Sequence, residues 1–372
     1  MTTKSAESFE FPTTVWRQKL RTRILYWYQR HSRDLPWRHD LHPYRSWVSE
    51  IMLQQTQVTT VIAYFQRFMN RFPDVVTLAD AEQQEVLRYW EGLGYYRRAR
   101  QMHAAAQVIR DQHDGNFPTD FESVLALPGV GRYTAGAILS ISLNQRLPIV
   151  EANTNRLFAR LLLHDGDIMS SNTQKRFWEF AEWILPRKNI SDFNQALMEV
   201  GALVCTPQNP DCKACPLKSI CPTKAEQCWE RIPKPKKKTK YEELFEVSVV
   251  LRDPKSETIL IRQCAAGERW EGLWDFPRFE CAVKNPTKPT TDEISKIKDE
   301  IKKLTNHHAI QPTWLTQLKH GVTKYRITLN CFEAHVSQRA QAKSFNLQWV
   351  HVDDLDSIPL SVTGRKLAKA IS

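Results

Sequence analysis

The sequence predicts a two-domain α+β protein, in which a helical N-terminal domain is followed by a smaller domain of strands and helices. Apolar residues recur at helical spacing from residue 15 to about residue 229. From residue 244 onward they alternate with a period of two, which is typical of strands. A length of 372 residues also suits two domains. We therefore expect a helical domain at 1–230, a linker at 231–243 and an α+β domain at 244–372.

The helical domain is predicted as amphipathic segments separated by proline and glycine. Their predicted ranges are Trp16–Tyr28, Trp47–Phe68, Glu82–Trp90, Phe121–Leu127, Thr134–Leu143, Thr154–Leu163 and Phe177–Leu185. Thr119 and Glu122 have the spacing of a capping box, which predicts that one helix begins at this point.

The linker is distinguished by its composition. Residues 231–240 contain six basic residues and two prolines, which favour an extended segment over a packed one. A solvated spacer and a phosphate-contacting arm both fit this composition. Beyond it, strands are predicted at Leu244–Arg252, Thr258–Cys264, Leu273–Phe279, Tyr325–Ala334 and Gln348–Val352, and helices at Asp292–Leu304 and Thr363–Ile371.

The net charge of +11 favours a polyanionic partner, nucleic acid before an anionic membrane. No apolar run approaches the roughly 18 residues needed to span a bilayer, so no membrane association is expected. Residues 1–14 include acidic residues and no apolar core, and we expect neither a signal nor a transit peptide there. Scattered cysteines at 228, 264, 281 and 331 suit free thiols in a reducing cytoplasm, not a secreted protein.

A second group of four cysteines lies close together in the chain, at Cys205, Cys212, Cys215 and Cys221. Nearby prolines prevent this loop from becoming a helix or a strand. Four clustered thiolates suit a zinc ion or a [4Fe–4S] cluster. Only one close pair is present, whereas zinc sites usually have two, and this favours iron–sulfur. Two disulfides are the remaining alternative.

A glycine-rich turn joins two of the predicted helices at Leu127–Arg132. Gly129 and Gly131 flank Val130, so the backbone can turn tightly and expose N–H groups at the beginning of the next helix. Such N–H groups bind a phosphate without reading base sequence. The pattern predicts a helix-hairpin-helix that binds DNA.

Several longer motifs, together with this hairpin and the cysteine group, resemble one known family. The motifs are Asp34–Arg38, Trp47–Val58, Trp90–Tyr96 and Gly272–Pro277. The chain resembles MutY-type adenine DNA glycosylases of the endonuclease-III-like superfamily over nearly its whole length. The resemblance implies a six-helix barrel with a [4Fe–4S] loop at 205–221, followed by a Nudix-like domain. It also implies a monomeric, nucleoid-associated enzyme that removes adenine mispaired with 8-oxoguanine or guanine in double-stranded DNA.

Removal of adenine requires that the leaving base be protonated and that the developing oxocarbenium sugar meet negative charge. Glu50 is the candidate proton donor. On a helix beginning near Tyr44, it is predicted to share a polar stripe with Gln54 and Gln57 between apolar neighbours. Such surroundings should raise the pKa of its carboxyl.

The second carboxylate is predicted at Glu151. The family carries Asp-Gly-Asn here, whereas this chain has Glu151-Ala152-Asn153. Glu151 keeps the charge with one more methylene, and Ala152 lacks the conformational freedom of glycine. We expect the longer side chain to compensate, with Asn153 also in the site. The alternatives are an impaired site in a lesion-binding protein, or a helix-capping role only for Glu151.

Tyr133 separates two types of glycosylase. Bifunctional endonuclease-III-like relatives carry at this position a lysine that attacks the sugar as an amine nucleophile. A phenol cannot form that imine, so a monofunctional enzyme is expected and a glycosylase/lyase is the alternative. In part of the family a tyrosine here assists the catalytic carboxylate, and the resemblance gives Tyr133 this role.

An enzyme that acts on a stacked base must extrude it from the duplex. Gln55 and Tyr95 match the family residues that wedge into DNA. Trp37, Arg38 and Gln195 match residues that line the adenine pocket.

The C-terminal domain is predicted to recognise DNA without hydrolysing a nucleotide. No glycine lies between Gly272 and Gly321, and the helix predicted at Asp292–Leu304 lacks the Arg-Glu-x-x-Glu-Glu run of active Nudix hydrolases. Where many family members have Phe-Ser-His, this chain has Val322-Thr323-Lys324. Thr323 and Lys324 are therefore the candidates for recognition of the opposite base.

Overall fold

The computed structural model describes residues 11–235, 240–336 and 346–371. The expectation for the N-terminus and part of that for the linker concern residues outside these ranges. The described residues form two compact units. One contains the residues up to Ala79 and from Ala104 to 235, and the other contains Asp80–His103 and the residues from 240 to 371. The domain limits read from the sequence assign Asp80–His103 to the helical domain, and those limits remain a proposal.

The described part of the chain up to residue 235 is helical, as predicted. Its α-helices are α1 (Thr14–His31), α2 (Pro43–Leu53), α3 (Val58–Arg71), α4 (Val75–Asp80), α5 (Gln83–Trp90), α6 (Arg97–Gln112), α7 (Phe121–Ala126), α8 (Arg132–Leu143), α9 (Ala152–Leu161), α10 (Ser171–Ile184), α11 (Ile190–Glu199) and α12 (Pro222–Ala225). A 3₁₀ turn occupies Pro36–Arg38, and a π-helical turn at Val200–Val204 follows α11.

Two predictions about these helices were wrong. The segment predicted as one helix at Trp47–Phe68 is two, because α2 ends at Leu53 and α3 begins at Val58. Gln54 and Gln57 therefore lie in the break and do not extend a polar stripe along α2. The predicted capping box is also absent, since Asp120 caps α7 by accepting a hydrogen bond from the Ser123 N–H at 2.8 Å.

The helices of the first unit bury a large aromatic and aliphatic core. Phe158, Phe177 and Phe180 are fully buried in a cluster that joins α1, α9, α10 and α11. Helix α2 packs against α8, and α11 packs against both α1 and α8. These contacts bring the polar residues of α2, α8 and α11 to one region.

The second unit contains a seven-stranded sheet. Its strands are β1 (Glu242–Arg252), β2 (Thr258–Gln263), β3 (Trp274–Asp275), β4 (Arg278–Glu280), β5 (Ala309–Val322), β6 (Tyr325–Val336) and β7 (Leu347–His351), and its C-terminal helices are α13 (Thr291–Thr305) and α14 (Val362–Ile371). The main order is β3-β2-β1-β6-β5, in which β1 and β6 are parallel. Strand β4 pairs with β1, and β7 pairs with β2.

Side chains of β1 point alternately to the two faces of the sheet and pack in two hydrophobic cores, one on each face. Val247 and Val249 pack in the cluster that contains Ile297 of α13. Val250 packs in the cluster that contains Leu367 of α14. The sheet is therefore covered by one helix on each face, and the predicted α+β fold class is confirmed.

Two features of the sheet differ from the sequence predictions. The strand predicted at Leu273–Phe279 is divided into β3, which pairs with β2, and β4, which pairs with β1. Pro277 lies between them and has no N–H to donate to a ladder. Strand β5 was not predicted, and its irregular pairing with β6 interrupts the period of two.

The second unit also includes α5 and the turn that follows it. The carboxylate of Glu91 accepts two hydrogen bonds from the Arg365 guanidinium, at 2.7 and 3.0 Å. The Trp274 indole N–H donates to the Gln84 amide oxygen at 3.1 Å. These bonds hold α5 against residues of the C-terminal part of the chain. Among the described residues, no helix is both long and apolar enough to cross a bilayer.

Candidate active site

A cavity of about 650 Å³ opens where α2, α8, α9 and α11 meet. Glu50, Tyr133, Glu151 and Asn153, the four predicted catalytic residues, all line it. The volume lies within the usual range for a small-molecule site. The fold thus brings to one cavity residues that are up to about a hundred positions apart in the chain.

Glu50 is the buried carboxyl of this cavity. Its side chain comes from the last turns of α2, and the residue is only 6% exposed. The Tyr133 hydroxyl donates a hydrogen bond of 2.6 Å to Glu50 Oε2. Burial raises the pKa of Glu50 to about 7, and the charge of Glu151 adds to this rise while the Tyr133 bond opposes it. Glu50 can therefore hold a proton near neutral pH.

Tyr133 lies in the first turn of α8, immediately after the hairpin. Burial, with the neighbouring charges of Glu50 and Glu151, raises the pKa of its phenol well above 10. The phenol consequently stays protonated and remains a hydrogen-bond donor to Glu50.

Glu151 both caps α9 and lines the cavity. Its carboxylate accepts bonds from the backbone N–H groups of Asn153 (2.8 Å) and Thr154 (2.9 Å), and the Thr154 hydroxyl accepts from the Glu151 N–H (2.7 Å). Burial raises the pKa of Glu151, and the two N–H bonds act in the opposite direction. Ala152 is the first residue of α9, an ordinary helical position that suits alanine. The Glu151 side chain thus folds back over the N-terminus of its own helix.

Asn153 is oriented by Arg156, one turn further along α9. Arg156 donates to the Asn153 side-chain oxygen at 2.9 Å and to the carbonyls of Gly201 and Cys205, each at 2.7 Å. Gly201 passes so close to Asn153 that an added Cβ would lie 2.7 Å from the Asn153 Cβ. The position of Asn153 thus depends on the loop that begins at Cys205.

The three candidate adenine-pocket residues Trp37, Arg38 and Gln195 also line the cavity. Sequence reasoning missed their partner Glu199, which is 1% exposed and accepts a bond of 2.9 Å from Arg38. Arg33, also missed, donates to both oxygens of Glu199. Glu199 follows Gln195 by four positions, so helical spacing could have placed both on the same face of α11.

The two candidate wedge residues have left-handed backbones. Gln55 (φ 58°) is exposed and lines the cavity between α2 and α3. Tyr95 (φ 49°) lies in the second unit with a half-exposed side chain. Positive φ is uncommon in residues other than glycine and often marks functional loops.

The predicted hairpin is a glycine turn that leads directly into α8. Gly129 adopts φ 76°, which residues with a side chain rarely adopt. Gly131 caps α8 without a side-chain hydrogen bond, and an added Cβ there would meet open space. Backbone N–H groups at the beginning of α8 can consequently receive an anion.

The four clustered cysteines surround one small pocket, with Leu217 beneath them. Burial raises the pKa of Cys215 to about 12, and the other three thiols of the group add to this effect. Arg160 of α9 donates to the Cys205 sulfur at 3.2 Å. All eight cysteines lie in the described ranges, and none of them forms a disulfide. Among the described residues, no group of three or more His, Cys, Asp or Glu side chains is arranged to hold a metal ion.

Thr323 and Lys324 form the tip of the β5–β6 hairpin in the second unit. Thr323 is exposed and has a φ of 51°. The Lys324 ammonium contacts Glu242 at 2.9 Å, and this bond raises its pKa. Both side chains are at the surface of the sheet edge.

Comparison with known proteins first indicates the class of protein to which the chain is similar. Residues 48–182 match the HhH-GPD superfamily of base excision DNA repair proteins, and residues 247–370 match the NUDIX domain family. The solved structure of a thermostable thymine-DNA glycosylase covers 57% of the chain and 98% of its own length, at 28% identity and a TM-score of 0.53.

Curated relatives narrow the class. The adenine DNA glycosylase of Buchnera aphidicola subsp. Schizaphis graminum is 38% identical over 77% of this chain and 81% of its own length. That of Mus musculus is 43% identical over 54% of this chain and 41% of its own length. The chain belongs to the adenine DNA glycosylase family, whose members are hydrolases of N-glycosyl bonds in base excision repair.

The raised pKa of Glu50 predicts a measurable effect of pH on stability. The folded protein keeps the Glu50 proton up to about pH 7, whereas the unfolded chain loses it near 4.5. Stability should therefore fall as the pH rises between these values, by up to about 3 kcal/mol. Glu50→Gln removes this contribution. Urea unfolding at pH 5 and pH 8, followed by helical circular dichroism, should show a smaller pH-dependent loss for Glu50→Gln.

Glu122→Gln, at an exposed position of α7, is the matched control and should keep the wild-type profile. Equal pH dependence of wild type and Glu50→Gln would show that Glu50 is already ionised at pH 5.

Proposed function

We propose that this chain is a monofunctional glycosylase that hydrolyses the N-glycosidic bond of adenine mispaired with 8-oxoguanine, and less readily with guanine, in duplex DNA. The observation that carries the proposal is the shared cavity with its two carboxyls, Glu50 and Glu151. Burial raises the pKa of Glu50 to about 7, whereas the Glu151 carboxylate accepts hydrogen bonds from N–H groups at a helix N-terminus. Two carboxyls in different environments are the arrangement that glycosidic cleavage requires.

Glu50 acts in this mechanism as the proton donor to the leaving adenine. With a pKa of about 7, a substantial fraction of the carboxyl is protonated at neutral pH. The Tyr133 hydroxyl bonds to Oε2, which leaves Oε1 to face the base. As the proton leaves, the same hydroxyl stabilises the carboxylate that forms.

Glu151 supplies negative charge to the cationic sugar. Burial raises the pKa of Glu151, while its N–H partners at Asn153 and Thr154 oppose that rise and hold the carboxylate in place. The role is electrostatic, because charge aimed in advance at a developing cation lowers the barrier without reorganisation. Tyr133 replaces the lysine of bifunctional relatives, and a phenol cannot form a Schiff base. Hydrolysis without strand cleavage follows.

The four cysteines are proposed to hold a [4Fe–4S] cluster. Four cysteines around a common pocket supply the sulfur donors that such a cluster needs, and Arg160 donates a hydrogen bond to the Cys205 sulfur. When bound, the cluster would supply a rigid cross-link, since hydrolysis of the glycosidic bond transfers no electrons. The loop would then present Lys213 and Lys218 to DNA phosphates.

Single-turnover excision is the test of the proposed activity. Wild type should release adenine opposite 8-oxoguanine, more slowly opposite guanine, and not opposite thymine. Glu50→Gln should bind the same duplex but lose roughly 10²–10⁴-fold in rate, because it cannot donate the proton. Glu151→Gln should also be slow, although it can still cap α9.

The alternatives give different results in that assay. No excision by wild type on any duplex would favour a lesion-binding protein. Undiminished excision by Glu50→Gln would exclude the acid role, and wild-type rates for Glu151→Gln would leave that residue a cap only. A borohydride-trapped enzyme–DNA adduct in high yield would identify a glycosylase/lyase.

Metal content is the test of the proposed cluster. The purified protein should be brown, with about four irons per chain. Cys212→Ser should lose the colour and the iron, and it should unfold at a lower temperature. Cys281→Ser, which lies outside the group, should keep the colour and the iron. A colourless protein with one zinc per chain would contradict the cluster.

A further inference from the structure

A groove of about 1360 Å³ on the first unit lies among α1, α10 and the first residue of α8. We call it the basic groove, because its lining includes six basic residues: Arg17, Arg21, Arg132, Arg146, Lys175 and Arg187. The acidic residues of its lining are Glu179 and Glu182. Cations thus outnumber carboxylates, and none of the predicted site residues belongs to this groove.

Two of the cations are already used to hold the groove together. Arg21 donates to the carbonyls of Ile184 and Leu185, at 2.7 and 2.6 Å. Arg146 pairs with Glu182. These contacts fix the end of α10 and keep the other cations close together.

The remaining cations are Arg17, Arg132, Lys175 and Arg187, of which Arg17 also donates to the Trp183 carbonyl at 3.4 Å. The Arg132 guanidinium lies 4.0 Å from the centre of the Trp178 ring, and that of Arg17 lies 4.8 Å from the Trp183 ring. Aromatic faces orient a guanidinium without neutralising its charge. Lys175 and Arg187 are exposed, and neither side chain has a hydrogen bond or ion pair with the residues that the structure describes.

The electrostatics of the groove favour an anion. Burial lowers the pKa of Arg21, and the like charges of Arg17 and Arg146 lower it further. Cations that repel one another in this way are stabilised when a phosphate or another anion lies between them. Guanidinium groups match phosphate oxygens in a two-bond geometry.

The position of the groove identifies which anion it would take. Arg132 directly follows Gly131, the last residue of the proposed phosphate-binding hairpin. The groove therefore begins where the hairpin ends, and its volume of about 1360 Å³ is far larger than one small ion occupies. We infer that the basic groove binds the phosphate backbone of the duplex next to the phosphate held by the hairpin. This inference rests on the proposed action on duplex DNA.

The experiment measures how DNA affinity depends on salt, with the full chain and a fully paired duplex that contains no mispair. The slope of log K against log[salt] decreases in size by roughly 0.9 for each phosphate that the protein no longer neutralises. Lys175→Gln combined with Arg187→Gln should therefore reduce it by about 1.8. The matched control is Lys19→Gln combined with Arg30→Gln, which removes the same two charges from exposed positions of α1 outside the groove. The control should change the slope little.

A charge-conserving pair, Lys175→Arg with Arg187→Lys, should keep the wild-type slope. An unchanged slope for the glutamine pair, or equal decreases in the glutamine pair and the control, would overturn the inference. A smaller slope in the charge-conserving pair would also overturn it, because packing and not charge would then be responsible. Thermal unfolding checks that each variant folds. Adenine excision by wild type is scored separately, so failure of the groove and failure of the proposed activity are distinguishable.

Discussion

The chemistry proposed for this protein depends on the burial of one carboxyl group, that of Glu50. An ionised carboxylate is costly to bury, so the group retains its proton near neutral pH. The hydrogen bond from the Tyr133 hydroxyl offsets part of that cost and lowers the pKa of Glu50 toward neutral pH. A fully solvated Glu50 would be ionised at neutral pH and could not donate a proton. A buried Glu50 without the Tyr133 hydrogen bond would have a higher pKa and would release its proton less readily. Packing of α2 against α8 is what sets this balance.

Helix α9 connects the cavity to the cysteine loop. Its N-terminus carries Glu151 and Asn153, and its next turns carry Arg156 and Arg160. Arg156 bonds to the Cys205 carbonyl and to Asn153, while Arg160 bonds to the Cys205 sulfur. A change in the cysteine loop would therefore be transmitted through Arg156 to Asn153, which lines the cavity. Through α9, the cysteine loop thus contributes to the positions of Glu151 and Asn153.

Local sequence motifs predicted the residues that line the cavity better than they predicted the residues that hold those side chains in place. Glu50 and Tyr133 each lie beside a distinctive pattern, and the fold brings them within one hydrogen bond. Glu199 was missed because its importance comes from two arginines far away in the chain. The break after Leu53 was missed because glutamine is a fair helix former, and only tertiary packing shows that the helix ends there. Contacts between distant segments leave little trace in a local pattern.

We propose that Glu50 donates its proton from a buried position and that the Tyr133 hydrogen bond adjusts its pKa. The most direct measurement is the pH dependence of single-turnover adenine excision by wild type and Tyr133→Phe. The wild-type rate should decline above a midpoint near pH 7, where Glu50 loses its proton. In Tyr133→Phe the midpoint should move to higher pH, because the hydrogen bond that this variant lacks lowers the pKa of Glu50 in the wild type. A rate that does not change between pH 6 and 9, or the same midpoint in both proteins, would contradict the account.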